Sequence, residues 1–416
     1  MCPPTEMPFT LTESCDGPDL GNTTCASLGF QGGELGCEPN CYFATNRCIT
    51  CVADTHVLDC RHAAVDAADA SWLAVAADDE GIVVAWGGRY TDSSEPTASQ
   101  VYVARFGPDL SPVGPTRSVG AADVESIALA RSPSGYLLAV GTNGPGGAGI
   151  VLQPLDKQGA VRGTARTIAD MGTPLLVARE AGGVVTGGPL LAVSGPRTKA
   201  TGSVGTLAGL LRDDGTEETP LVDVFSPDES NGPGATVFTG DGFLISGDAT
   251  TARIGLDGLV TDKKLLPFRA GFVTLAWTGT EVRAVYEEIA SPPTPPSGLG
   301  IQWMRLDARG NPLAPPVLVV SGREPVASSI FTLGEDSLIL LSEDDIPGGL
   351  SLFFQVMRVS PTGKTLSGPY DVVRDPEMVL AYTARWVRRG SEAILAWIGG
   401  SGNRPLEHIG LARLNP

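Results

Sequence analysis

Apolar positions recur along this chain in one repeated phrase. In Gly300–Val320 an alternating apolar segment runs into Asp307-Ala308-Arg309-Gly310, and a second apolar segment follows. Alternation at period two marks a strand with one covered side, and the Asp-x-x-Gly stretch marks a tight turn. The phrase returns at Val101–Val119, Ile150–Ile168, Thr206–Val224, Thr251–Phe268, Leu352–Val373 and, cut short, Ile409–Pro416. Anchored on Phe106, Leu155, Leu211, Ile254, Leu306, Val359 and Leu414, successive copies are 49, 56, 43, 52, 53 and 55 residues apart.

A second phrase precedes each copy, a turn followed by an inner apolar strand. It is found at Gly81–Trp86, Gly135–Val140, Gly188–Val193, Gly242–Ser246, Glu281–Tyr286, Ser337–Leu341 and Glu392–Trp397. A further short strand comes before that one, as in Trp72–Ala77, Ile127–Ala130, Leu175–Ala178, Phe272–Trp277 and Ala384–Val387. Four short strands in a unit of about 50 residues describe a propeller blade. Seven units predict an all-β, seven-bladed β-propeller over residues 61–416. Parallel β-helices repeat at shorter periods, and a β-sandwich does not produce seven near-copies.

The last unit stops before its outer strand. An open ring would leave an unpaired edge, so residues 61–67 are expected to pair as the outer strand of blade seven. Cys60 stands at the start of that segment, and a Cys51–Cys60 bridge would tie the closure to the residues before it.

Composition fits this picture. Gly 53, Pro 33 and a charged fraction of 18% suit short strands and tight turns. The net charge of −18 argues against a nucleic-acid partner, since phosphate binding needs a basic surface. No apolar run is long enough to span a bilayer as a helix.

All eight cysteines fall in the first 60 residues: Cys2, Cys15, Cys25, Cys37, Cys41, Cys48, Cys51 and Cys60. An even, clustered set beside a cysteine-free domain reads as a disulfide framework formed in an oxidising compartment. Residues 1–58 are too few to bury a sufficient core unaided, so they form a small disulfide-rich module. Zinc is the competing reading, but only His56 and His62 lie nearby, and no paired Cys-x-x-Cys knuckles are present. Oxidised cysteines imply an exported protein, secreted or held at the cell surface. Cys2 is a candidate lipid anchor if it is the mature N-terminus, although lipidation would leave an odd number of cysteines to pair.

The stretches Cys15–Gly21, Thr24–Phe30 and Gly33–Cys41, with Phe43 and Cys48 following, resemble a known module. It is the small Cys-rich repeat found at the N-terminal side of many secreted or surface proteins of myxobacteria and their relatives. The resemblance spans residues 13–48 and implies an exported bacterial protein. It brings no chemistry to these residues.

In a four-stranded blade, the first-to-second and third-to-fourth turns share one face. Here those turns are short and uniform, as in Thr239–Gly242, Asp257-Gly258, Asp307–Gly310, Pro361–Gly363 and Arg389-Gly390. The other face carries variable loops, including 89–100, 142–148, 195–205, 287–298, 343–349 and 399–406. Binding residues concentrate on variable loops held by a rigid scaffold. The ligand-binding candidates are therefore Arg89, Tyr90, Glu287, Glu288, Glu343, Asp344, Asp345, Arg374 and Arg404.

The function expected is extracytoplasmic binding or scaffolding, with a protein or glycan ligand on the variable-loop face. The alternative is a glycan-active hydrolase or lyase with acidic residues at the channel mouth, since paired carboxylates such as Glu287 and Glu288 can do acid–base work. Against it, acidic loops also serve simply to keep an exported protein soluble. No G-x-S-x-G elbow, no usable histidine set and no complete sialidase-type turn box is present, so no catalytic residue is assigned. No cofactor is expected. A structural Ca²⁺ is the remaining option, because Asp78-Asp79-Glu80 and Glu343-Asp344-Asp345 are oxygen-rich, but neither has the D-x-D-x-D-G ligand spacing.

Overall fold

The computed structural model describes residues 15, 18–25, 27, 32–33, 35–37, 43–44, 48–49, 57–63, 70, 72–87, 100–121, 124–144, 147–181, 184–194, 205–226, 229, 234–247, 250–266, 270–288, 300–321, 325–346, 349–373, 384–390, 392–399 and 408–414. At some strand ends only the backbone is described. The described residues contain no α-helix.

Seven four-stranded antiparallel sheets form a β-propeller. Blade 1 is Trp72–Asp78, Gly81–Gly87, Gln100–Phe106 and Arg117–Ala121. Blade 2 is Val124–Ser132, Gly135–Gly144, Gly147–Asp156 and Arg166–Ala169. Blade 3 is Pro174–Ala181, Val184–Ser194, Thr206–Leu210 and Val222–Phe225. Blade 4 is Thr236–Phe238, Gly242–Ser246, Thr250–Gly255 and Val260–Leu265. Blade 5 is Ala270–Trp277, Val282–Glu288, Gly300–Leu306 and Val317–Ser321. Blade 6 is Pro325–Leu333, Asp336–Ile346, Gly349–Val359 and Thr365–Val373. Blade 7 is Arg385–Arg389, Glu392–Gly399 and His408–Leu414, completed by Val57–Ala63 from the N-terminal side.

The closing strand starts four residues earlier than the expected 61–67. It pairs antiparallel with His408–Leu414, from Val57 opposite Leu414 to Ala63 opposite Ile409. The partner strand spans seven residues, and only a strand beginning near residue 57 satisfies its whole edge. Val65, expected inside the strand, and Cys51, expected to bridge Cys60, lie outside the described residues.

The core is not one body. Seven apolar clusters lie between neighbouring blades, one per junction, including the junction of blades 7 and 1. The period-two geometry of a strand explains this. In blade 1, Ile82, Val84 and Trp86 face blade 7, while Val83 and Ala85 face blade 2. A second strand covered on both sides must be apolar throughout, which is why these segments read as unbroken runs. All seven anchor residues of the repeated phrase are buried, none more than 2% exposed. Trp303 packs between blades 5 and 6.

The N-terminal module holds a Cys15–Cys37 disulfide, and Cys25 is also disulfide-bonded. Its short strand pairs are Gly32–Gly33 with Cys48–Ile49, and Gly36–Cys37 with Phe43–Ala44. The first of these pairs lies against the closing strand.

Candidate functional site

The turn face is built by two recurring devices. The first is the third-to-fourth-strand turn. In blade 5 the Gly310 N–H donates to the Asp307 carbonyl and the Asp307 N–H to the Asn311 carbonyl. The Asp307 Oδ1 accepts from the N–H groups of Arg309 and Asn311. The same pair of backbone bonds recurs in blades 1, 2, 3, 4 and 6. Gly310 has a φ of 80°, and a Cβ there would come within 2.6 Å of Thr251 in blade 4. Each such turn tucks under the preceding blade, so a residue without a side chain fits.

The second device is an ion pair from the first hairpin to an arginine one position before the anchor. The pairs are Asp78–Arg105, Asp241–Arg253, Glu281–Arg305, Asp336–Arg358 and Glu392–Arg413 in blades 1, 4, 5, 6 and 7. Blades 2 and 3 have Pro154 and Leu210 at that position. The blade 1 pair is the most enclosed, its side chains 3% (Arg105) and 13% (Asp78) exposed. The Tyr136 hydroxyl donates to Asp78 at 2.7 Å, and Arg105 donates to the Lys157 carbonyl of the next blade at 2.5 Å. Burial alone would raise the Asp78 carboxyl, but the bonds from Arg105 and Tyr136 outweigh it and hold its pKa below the usual value. Burial and the Asp78 charge push the Tyr136 phenol well up. Asp78 is therefore a structural carboxylate, taken up by the Arg105 and Tyr136 donors.

Further cations latch blades 7, 1, 2 and 4 to the turn of the next blade. Arg389 donates to the Pro108 carbonyl, Arg117 to that of Gln158, Arg162 to that of Asp213, and Lys264 to that of Arg309. The repeated carboxylates and arginines of this face hold turns and blades together. Sequence reading passed over the arginines, although their constant place before the anchor made them visible.

Between blades 1, 2 and 3, where the arginine repeat is interrupted, lies an open depression of about 300 Å³ lined by Asp79, Glu80, Arg131, Ser132, Lys157 and Val185, among others. Among the described residues, no group of three acidic, histidine or cysteine side chains is placed to hold a metal ion.

The predicted binding residues distribute as follows. Glu287 and Glu288 stand at the end of the second strand of blade 5, opposite Ile301 and Ala270. Glu343, Asp344 and Asp345 were expected in a loop. They lie instead inside the eleven-residue strand Asp336–Ile346, with Glu343 opposite Phe353 and Asp344 opposite Leu352. That hairpin continues pairing beyond the core, so its connection shrinks to Pro347-Gly348. The blade 2 hairpin behaves likewise, pairing as far as Gly144 and Gly147. Arg89, Tyr90, Arg374 and Arg404 lie outside the described residues.

No protein-family model and no curated protein matches the sequence. Several solved structures are similar in fold. An acylaminoacyl peptidase in complex with Z-Gly-Gly-Phe-chloromethyl ketone matches at 10% identity and a TM-score of 0.50, over 83% of this chain and 51% of that one. The WD40 domain of Pan2 from Neurospora crassa matches at 11% identity and 0.47, over 86% and 95%. The β-propeller domain of Cps50 from Myceliophteria thermophila matches at 12% and 0.44, over 85% and 99%. At these identities the likeness is one of fold.

Proposed function

We propose that this chain is an extracytoplasmic binding or scaffolding protein whose variable-loop face takes a protein or glycan ligand. The contrast between its two faces carries this reading. The turn face repeats the same hydrogen bonds and ion pairs blade after blade, and a surface spent on holding the ring together has little left to vary. On the other face, the second-to-third-strand connections differ widely. They run over 88–99, 195–205, 289–299 and 400–407 in blades 1, 3, 5 and 7, but only over 145–146, 247–249 and 347–348 in blades 2, 4 and 6. The long blade-to-blade connections 226–235, 374–384 and 64–71 fall on that same face. Length variation of this kind is tolerated where loops serve recognition.

The disulfide in the N-terminal module supports an oxidising location. The resemblance of residues 13–48 to the myxobacterial Cys-rich repeat supports export, with the native chain secreted or at the cell surface.

The test is a glycan array and a panel of surface-protein extracts probed with the whole chain and with two variants. One replaces 289–298 by a Gly-Ser linker of equal length; the other, Val113→Asp, alters the turn face. The reading expects a ligand whose binding falls at least tenfold in the loop variant and is unchanged in V113D. Binding lost only in V113D, or glycan cleavage by the wild type, would overturn it.

A further inference from the structure

The ring and the module that closes it are held together by different means. From Trp72 to Leu414 the blades contain no cysteine, and each interblade cluster has at least seven buried residues. The module's cluster, among the described residues, has two, Cys25 and Leu35, with Leu20 and Phe43 packed beside them. Cys25 is itself half of a disulfide, so a cross-link sits within this small core. The Cys15–Cys37 bridge fixes one end of the strand Gly36–Cys37. A piece that buries so little apolar surface keeps its fold through its cross-links.

The module is also placed to control the closure. Its strand pair Gly32–Gly33 and Cys48–Ile49 lies against Val57–Ala63 without joining that strand's sheet. Only residues 50–56 separate Ile49 from Val57. Val57–Ala63 is the outermost strand of blade 7, paired along one edge with His408–Leu414. An outermost strand is the part of a sheet most readily released, because one ladder of hydrogen bonds holds it. The cysteine framework reaches into this strand at Cys60, opposite Ala412.

We propose that the module is a redox-controlled clasp on the ring. Oxidised, it holds Val57–Ala63 on blade 7. Reduced, it unfolds, releases that strand and leaves the outer edge of blade 7 open. In each step a dithiol gives two electrons and two protons to one S–S bond; the protein gains two thiols and the dithiol becomes a disulfide. Since the blades from Trp72 to Leu414 have no cysteine, a reductant acts on them only through the module. The clasp does not depend on a ligand at the loop face.

The experiment follows hydrogen exchange of the full chain by mass spectrometry, without denaturant, before and after treatment with a small dithiol. Alkylation counts the thiols released, eight at completion. Reduction is expected to speed exchange of Val57–Ala63 by roughly tenfold or more. His408–Leu414 should change less, since its other edge stays paired with Glu392–Gly399. Thr206–Leu210 and Thr250–Gly255, in blades 3 and 4, should keep their rates. Reoxidation should restore the slow exchange, and Cys15→Ser combined with Cys37→Ser should speed the same two blade 7 peptides without any reductant. If that variant does not fold, reduction of the folded wild type carries the test alone. Unchanged exchange of Val57–Ala63 with all eight thiols free would overturn the clasp, and so would an equal acceleration in every blade.

Discussion

At the scale of single residues, Leu110 shows how one position settles a junction. Five of the six repeated turns place glycine at the positive-φ site; blade 1 places Leu110 there, at a φ of 60°. Its side chain is 1% exposed and belongs to the cluster between blades 7 and 1. A left-handed backbone costs a non-glycine residue about 1–2 kcal/mol. Burying a leucine returns about 1.5–3 kcal/mol, so burial wins at the one junction that joins the two ends of the chain. Leu110→Ala should therefore destabilise by about 3 kcal/mol through the cavity it leaves. Leu110→Gly should cost about 1 kcal/mol less than alanine, because it relieves the backbone. Urea melts of the two variants check this reversal of the usual order.

Asp78 makes a pH prediction at the same scale. Its carboxyl pKa is depressed in the folded state, so its contribution is present above the unfolded value and is lost as pH falls through the folded one. Asp78→Asn should flatten the loss of stability that sets in as pH falls below about 4. At neutral pH it should cost about 3 kcal/mol, because it leaves the enclosed Arg105 without its counter-charge. Melting temperature against pH for both proteins measures the two effects.

At the scale of elements, the hydrophobic pattern was a sound guide to strands and a poor one to where hairpins end. Anchors such as Leu306 and Val359 are buried in every blade because the strand carrying them is covered on both sides. That requirement is written directly into apolar residues. Glu343-Asp344-Asp345 belong to a hairpin whose backbone pairing continues past Leu341, where this strand turns acidic although its partner stays apolar through Leu352 and Phe353. The Arg105–Asp78 type of pair was hidden for a different reason, since a charge beside a turn ordinarily signals solvent. Only its recurrence one position before five anchors distinguishes it. Within blade 7, Gly410 stands opposite both Trp397 and His62. A Cβ at Gly410 would fall within 2.0 Å of the Trp397 ring. Gly410→Ala should displace that ring, lower the melting temperature and raise Trp fluorescence exposure to quenchers, whereas Gly114→Ala, with nothing within 4 Å of the new Cβ, should leave the fluorescence unchanged.

At the scale of the whole molecule, the seven interblade clusters make each blade depend on two neighbours, and the closing strand turns that line into a ring. Without Val57–Ala63, the edge His408–Leu414 would be open and the junction of blades 7 and 1 would carry the ends of an interrupted solenoid. The N-terminal module then matters mechanically, since its strands lie against the closing strand. Hydrogen exchange read by mass spectrometry tests this directly, following peptides that cover Val57–Ala63 and His408–Leu414 in the intact chain across a denaturant series. A closed ring predicts that both strands exchange slowly and lose protection together, at the same denaturant concentration as the other blades. Rapid exchange of Val57–Ala63 while His408–Leu414 stays protected would contradict closure by the N-terminal strand.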